Sequence, residues 1–174
     1  MKVIVINGLP RTGKDTFVSY CLEELGDYGH AFSTVDFVKE IAKTCGWNGQ
    51  KTAKDRKFLS DLKDLLNEWN DVPYQKIRSE IAKIYLIAEQ YGLDHDKFVI
   101  FIHCREPEEI QRFVDEYKAI TVLMRRTEVE GNPQSNHSDS GVFNYNYDII
   151  IWNDENLEFL KETANFFLEN LEKF

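Results

Sequence analysis

The chain has few cysteines, fewer basic than acidic residues and no long apolar run. Its three cysteines, Cys21, Cys45 and Cys104, are far apart and form no Cys-x-x-Cys pair, which argues against a disulfide framework and a zinc site. The formal net charge is −9, so polymeric DNA or RNA is not an expected partner. The apolar run near Met1 is too short for a signal-peptide core or a membrane span. We therefore expect a cytoplasmic protein without a membrane partner.

The remaining composition is that of an ordinary globular domain. The chain has 174 residues, 43% hydrophobic and 29% charged, which is enough for one domain with a layered core. We find no repeat, no low-complexity segment and no internal linker. A single domain spanning residues 1–174 is therefore predicted. Its oligomeric state stays open, a homodimer being one possibility.

Apolar runs alternate with helical patterns along the chain. Strands are predicted at residues 3–6, 31–35, 98–102, 120–124 and 147–152. Helices are predicted at residues 14–25, 37–44, 53–69, 73–91 and 107–117, with a final helix capped by Asn153 or Asp154. The polar stretch 125–144 predicts a loop or lid. This alternation predicts an α/β fold with a parallel sheet of about five strands and helices on both faces.

The most informative motif follows the first predicted strand. It has the pattern G-x-x-x-x-G-K of a phosphate-binding loop. Its glycines allow backbone N–H groups to point inward, the helix N-terminus adds partial positive charge, and Lys14 can reach the β- and γ-phosphates. The predicted nucleotide-binding residues here are Gly8, Pro10, Arg11, Thr12, Gly13, Lys14, Asp15 and Thr16.

Asp15 occupies the position where this motif usually has Ser or Thr. The usual hydroxyl coordinates Mg²⁺, and a carboxylate can also bind a hard cation, directly or through water. Thr16 can still donate to a phosphate. We therefore predict Asp15 and Thr16 on the metal side of the site. The alternative is that Asp15 only stabilises the start of the helix through the macrodipole.

Lys14-Asp15-Thr16 behind Gly13 resembles the GKDT loop of the bacteriophage-type deoxynucleoside monophosphate kinases and of the related animal-type phosphomevalonate kinases. Both are P-loop kinases of the adenylate-kinase kind. The resemblance implies a P-loop NTPase fold, ATP and Mg²⁺ as cofactors, a lid at about 127–144 and a small phosphorylated acceptor, a (deoxy)nucleoside monophosphate foremost. It is weakest at about 47–91, where an acceptor-binding helical insertion is expected.

The strand ending near Ile102 carries the second match. Similar kinases have D-x-R at this strand end, and Arg105 falls on the Arg position, which implies a hold on the acceptor phosphate. The alternative is a surface arginine paired with Glu108 or Glu109. His103 replaces the acid that normally helps to hold the hydrated Mg²⁺, and Asp15 could take over part of that role.

Arg125 and Arg126 precede the polar stretch. In nucleoside monophosphate kinases, arginines of this region close over the phosphates, which implies that both neutralise charge in the transition state together with Lys14 and Arg105. The alternative is a strand end with two solvated cations.

The end of the chain carries a weaker resemblance. His137-Ser138-Asp139-Ser140, followed by Tyr147 to Asp154, is similar to a pattern near the end of these kinases, although Glu155 replaces a glycine. The resemblance implies that the turn at Asn153 lies against the adenine. A helix N-cap would explain Asn153 and Asp154 equally well.

The acceptor side is the least defined. Asp36, with Lys39 one turn later, lies in a region that contacts the acceptor in the related kinases. Four aromatic residues of the 47–91 stretch are expected in the core rather than as base-stacking platforms; these are Trp47, Trp69, Tyr74 and Tyr85. Other acceptors, a P-loop NTPase that uses water, and a nucleotide-binding protein without turnover all stay open.

Overall fold

A computed structural model describes residues 1–131 and 141–173. The strands are β1 (Lys2–Asn7), β2 (Gly29–Ser33), β3 (Val99–His103), β4 (Ile120–Arg125) and β5 (Ile149–Trp152). The helices of the described residues are α1 (Lys14–Leu25), α2 (Asp36–Thr44), α3 (Ala53–Asn70), α4 (Val72–Tyr91), α5 (Pro107–Tyr117), α6 (Thr127–Glu130) and α7 (Leu157–Glu169). Short 3₁₀ turns lie at Gly26–Tyr28, His95–Lys97 and Leu171–Lys173.

The five strands form one parallel sheet in the order β2-β3-β1-β4-β5. The central strand β1 pairs with β3 and β4, so that Ile6 lies beside His103 on one side and Val122 on the other. The carboxyl ends of these strands therefore meet at one edge of the sheet. The predicted α/β fold is confirmed.

The sheet is apolar on both faces because helices cover each of them. Alternate residues of the strands, among them Ile4, Phe101 and Met124, pack in one cluster with Phe17 of α1 and Phe167 of α7. Helix α5 contacts β1 and β4 and buries its own apolar side chains completely at Ile110 and Phe113. The strands consequently read as continuous apolar runs rather than alternating ones.

Several predicted boundaries are wrong. Strand β2 begins and ends two residues earlier than predicted, and Asp36 is the first residue of α2. The stretch predicted as loop contains helix α6. The N-cap of α7 is Asn156, whose side chain accepts from the Phe159 amide, rather than Asn153 or Asp154. All three residues are of capping types, so composition did not distinguish them.

The chain divides into two compact units, Met1–Ala31 with Asp94–Phe174, and Phe32–Leu93. In the second unit Tyr74 is buried as expected, but the core placement of Trp69 and Tyr85 is wrong, since they are 81% and 47% exposed. The buried residue of α3 is Lys63. The amphipathic pattern of α3 therefore identified a helix without identifying which side chains it buries.

No helix among residues 1–131 and 141–173 combines the length and the apolar character that crossing a membrane requires.

Candidate functional site

The loop between β1 and α1 follows a backbone path that depends on its glycines. Gly8 and Gly13 have φ of 152° and 89°, values that L side chains rarely adopt. A Cβ on Gly8 would lie 2.5 Å from the Met124 carbonyl oxygen. Arg11 also has a positive φ, 70°, which costs on the order of 1 kcal/mol or more for a residue with a side chain. Such strain concentrates at ligand-binding loops.

Asn153 fixes the shape of this loop from the far end of the chain. Its amide Nδ2 donates to the Thr12 carbonyl oxygen at 2.9 Å, and its backbone N–H donates to the Arg125 carbonyl at 2.8 Å. A Cβ on Gly13 would collide with the same amide nitrogen. Both Asn153 and Thr12 are buried. Asn153 was predicted as a nucleotide contact, and the structure places its side chain against the loop backbone.

A second polar network supports the start of the loop, and the sequence reading missed it. The buried Asn7 accepts from the Gly8 amide at 2.8 Å and donates to the Tyr147 hydroxyl at 2.7 Å. That hydroxyl donates to the Val142 carbonyl, and burial raises the pKa of Tyr147 to about 12. The sequence did contain a signal for Asn7, since it is a polar residue that ends a run of β-branched residues.

Lys14 and Thr12 point toward the interior of the loop. The Lys14 ammonium donates to the Leu9 carbonyl oxygen at 3.1 Å, and the Thr12 hydroxyl donates to the same oxygen at 2.9 Å. Thr16 lies in the first turn of α1, whose N-cap is Gly13. The loop thus brings an ammonium group next to the N-terminus of α1, and both features favour the binding of phosphate.

Asp15 and His103 come together at the carboxyl edge of the sheet. The Asp15 carboxylate Oδ1 lies 3.5 Å from His103 Nδ1, and their side chains are 89% and 20% exposed. The Asp15 carboxylate fits Mg²⁺, which takes oxygen ligands, whereas an imidazole nitrogen does not. Asp15 therefore has the chemistry expected of a Mg²⁺ ligand, whereas His103 does not.

The segment after β3 places Arg105 half-buried, with its carbonyl accepting from Asn7. Beside it, the Cys104 thiol donates to Glu109 at 3.4 Å. Cys104, Glu106 and Glu109 bring one ligand atom each within 4.8 Å of one another. The predicted role of Arg105 in acceptor binding stays a prediction.

Arg125 is paired and stacked. Its guanidinium donates twice to the Glu130 carboxylate, at 2.7 and 2.6 Å, and these bonds raise its pKa. The same group lies 4.2 Å from the Trp152 ring centroid and 5.4 Å from that of Phe143. The neighbouring Arg126 pairs with Glu128 at 2.9 Å. Both predicted phosphate ligands therefore have carboxylate partners here.

Helix α6 is tied to the segment after β5. The Asp154 carboxylate accepts from the Thr127 amide at 2.7 Å and from its hydroxyl at 2.8 Å, and these bonds lower the pKa of Asp154. The other predicted tail residues, His137-Ser138-Asp139-Ser140, lie outside the described residues, as does half of the predicted lid.

The second unit contains a cavity of about 240 Å³ that includes Asp36. Asp36 accepts from the Ser33 amide at 2.9 Å and pairs with Lys39 at 3.1 Å. The Lys76 ammonium lies 5.5 Å from the Phe37 ring centroid within the same cavity lining. The remaining lining residues are Phe32, Ser33, Glu40, Pro73, Ile77 and Glu80.

No protein-family model matches the chain, and no curated protein matches it significantly. Among solved structures, dephospho-CoA kinase from Campylobacter jejuni superposes with a TM-score of 0.52 at 14% identity, covering 99% of this chain and 98% of that one. A protein of Chloroflexus aurantiacus j-10-fl with a provisional kinase name superposes with a TM-score of 0.50 at 12% identity, covering 97% of this chain and 96% of that one. At these identities the likeness is one of fold alone, the α/β fold with one parallel five-stranded sheet.

Proposed function

We propose that the protein is an ATP-dependent phosphotransferase whose acceptor is a small phosphorylated molecule, foremost a (deoxy)nucleoside monophosphate. The observation that carries the proposal is the loop between β1 and α1. Its two glycines have positive φ, the Lys14 ammonium donates to the Leu9 carbonyl, and Asn153 donates to the Thr12 carbonyl. A chance glycine turn between a strand and a helix would need none of these features.

The donor side of the reaction follows from charge. The triphosphate of ATP would lie against the loop amides and the α1 N-terminus, with Lys14 at the β- and γ-phosphates. Phosphoryl transfer depends on positioning and on fixed cations near the developing charge. Asp15 and Thr16 would hold a divalent ion, whose charge would offset that of the phosphates.

Arginines supply the remaining positive charge in this proposal. Arg105, at the carboxyl end of β3, is the candidate for the acceptor phosphate, which an arginine can bind bidentately. Arg125 and Arg126 would stabilise the transferring group once they leave Glu130 and Glu128. A monophosphate acceptor is already an anionic nucleophile, so the reaction requires no general base. Asp36 stays the candidate for recognition of the acceptor.

The test is a coupled assay of ADP release with ATP and a panel of nucleoside and deoxynucleoside monophosphates plus phosphomevalonate, run with Mg²⁺ and separately with Mn²⁺. Release that depends on a nucleoside monophosphate supports the proposal in full. Release with phosphomevalonate alone supports phosphoryl transfer and refutes the nucleotide acceptor. Lys14→Met should abolish activity, whereas Lys161→Met, which removes an exposed cation paired with Glu23, should retain it.

A second candidate is a nucleotide-binding protein without turnover. Two observations favour it: His103 stands where an acid is expected, and Arg125 is fully engaged by Glu130. Tight ATP binding that Lys14→Met abolishes, combined with no ADP release for any acceptor and either ion, would select this candidate. Absence of ATP binding would refute both.

A further inference from the structure

The side chains of Asp15 and His103 meet because of where their elements end. Asp15 lies in the first turn of α1, and His103 is the last residue of β3. The β1–β3 register aligns His103 with Ile6, whose side chain faces the helix layer that contains α1. The imidazole therefore lies on the side of the sheet where α1 begins, 3.5 Å from the carboxylate.

This separation fits two ligands of one metal ion. Nitrogen and oxygen ligands bind a first-row divalent ion at about 2.0–2.2 Å. Adjacent ligand atoms then lie roughly 2.8–3.1 Å apart in octahedral geometry and roughly 3.3–3.6 Å apart in tetrahedral geometry. The Asp15 and His103 atoms lie within the tetrahedral range and beyond the octahedral one, a difference that movement of the exposed Asp15 carboxylate would close. Asp15 is 89% exposed, so an ion bound to the pair can keep other ligands, including phosphate oxygens.

The identity of the two donor atoms discriminates between ions. Mg²⁺ is bound through oxygen and retains its waters, whereas an imidazole nitrogen is a better ligand for the first-row transition ions, among which Mn²⁺ binds it most weakly. A pair of one carboxylate oxygen and one imidazole nitrogen therefore favours the transition ions, while a carboxylate or hydroxyl in place of His103 would favour Mg²⁺.

We propose that Asp15 and His103 bind the nucleotide-associated divalent ion directly, and that this site takes Mn²⁺ in preference to Mg²⁺. The inference rests on the proposed nucleotide function of the loop. In this proposal His103, a poor ligand for Mg²⁺, is a metal ligand that changes which ion the site prefers. The competing explanation is an ion pair between an imidazolium and Asp15 that excludes metal.

The experiment measures metal selectivity rather than turnover. Wild-type protein is mixed with a non-hydrolysable ATP analogue, and the free Mn²⁺ signal in the electron paramagnetic resonance spectrum is followed while Mg²⁺ competes. The same competition with the analogue alone sets the baseline. We expect the protein to raise the Mn²⁺-over-Mg²⁺ affinity ratio by about tenfold over that baseline. The pulsed spectrum should contain a nitrogen coupling from the imidazole.

Three variants make the assignment specific. His103→Asn should return the ratio to the baseline and remove the nitrogen coupling, and His103→Asp should move the preference toward Mg²⁺. Glu109→Gln is the matched control because Cys104, Glu106 and Glu109 could hold an ion elsewhere. This control should leave the ratio raised.

Each contrary result is diagnostic. A baseline ratio in the wild type, or a raised ratio that persists in His103→Asn, overturns the inference. A ratio lost only in Glu109→Gln does the same. Binding of the analogue is measured in parallel by calorimetry with EDTA present. If the analogue binds and the ratio is at baseline, this inference alone fails, whereas absence of binding refutes the proposed function as well.

Discussion

The hydrogen bond from Asn153 to the phosphate loop can be removed with almost no change of shape by Asn153→Asp. The aspartate matches asparagine in size but has no N–H to donate. The buried Thr12 carbonyl then loses the partner that now lies at 2.9 Å, and a carboxylate oxygen approaches it instead. The backbone bond from residue 153 to the Arg125 carbonyl is retained. The substitution thus isolates one contact between residues 141 positions apart.

The magnitude follows from burial. Thr12 is 1% exposed, so water cannot replace the lost donor without rearrangement. Leaving a buried acceptor unsatisfied costs about 1–3 kcal/mol. At about 2 kcal/mol, a domain of this size loses about 4–8 °C in Tm. Because the loop amides would no longer be held in their binding arrangement, we also expect ATP affinity to fall about tenfold, equivalent to about 1.4 kcal/mol.

The assay combines thermal unfolding with ATP titration, and the chain provides a matched control. Asn156→Ala removes the N-cap of α7 and should cost about 1 kcal/mol of stability without changing ATP affinity. If Asn153→Asp binds ATP as tightly as the wild type, or if both variants weaken binding equally, the argument that Asn153 positions the loop is wrong.

Other predictions concern the groups around the loop. Tyr147→Phe deprives Asn7 of a partner and should lower the free energy of unfolding by about 1 kcal/mol. Because the pKa of Tyr147 is raised from 10.0 to about 12, the wild type should lose stability as the pH rises between these values. Urea titrations of the variant should show no such alkaline loss. Glu130→Gln should change stability by less than about 1 kcal/mol yet increase ATP affinity by freeing Arg125, and unchanged affinity would contradict a phosphate role for that arginine. The pKa of Asp154 lies below its ordinary 3.8, so its stabilisation of α6 is present above that pH and is lost as the pH falls through the lowered pKa. Asp154→Asn should abolish this acid transition in the amide NMR signals of α6. A transition that persists in the variant would belong to another group.

The elements that the sequence predicted well are those whose signals are local. Helices 14–25 and 107–117 were predicted with the bounds that the structure has, because Gly26 and Pro107 mark their ends. Strands β1 and β3 are continuous apolar runs that only a doubly covered sheet explains. Strand β2 has polar and glycine residues at Gly29 and His30, so its start carried no such signal.

The site was predictable only in part, for a related reason. The phosphate loop is a contiguous motif, and its residues could be named directly. The contacts of Asn153 with Thr12 and of His103 with Asp15 depend on strand order and register, which a single sequence does not specify. The pairing of Arg125 with Glu130 was missed because it required helix α6, hidden in a stretch rich in polar residues.

The stacking of Arg125 on Trp152 provides the protein with an optical probe of its own site. The chain has three tryptophans; Trp69 is 81% exposed in the second unit, whereas the Trp152 ring lies 4.2 Å from a guanidinium. A cation over an indole perturbs its electrons, so departure of Arg125 would change the emission of Trp152 while Trp69 contributes a steady background. With Trp47→Phe and Trp69→Phe to remove the emission of the other two tryptophans, stopped-flow fluorescence could time the arginine's movement against nucleotide arrival without any attached label.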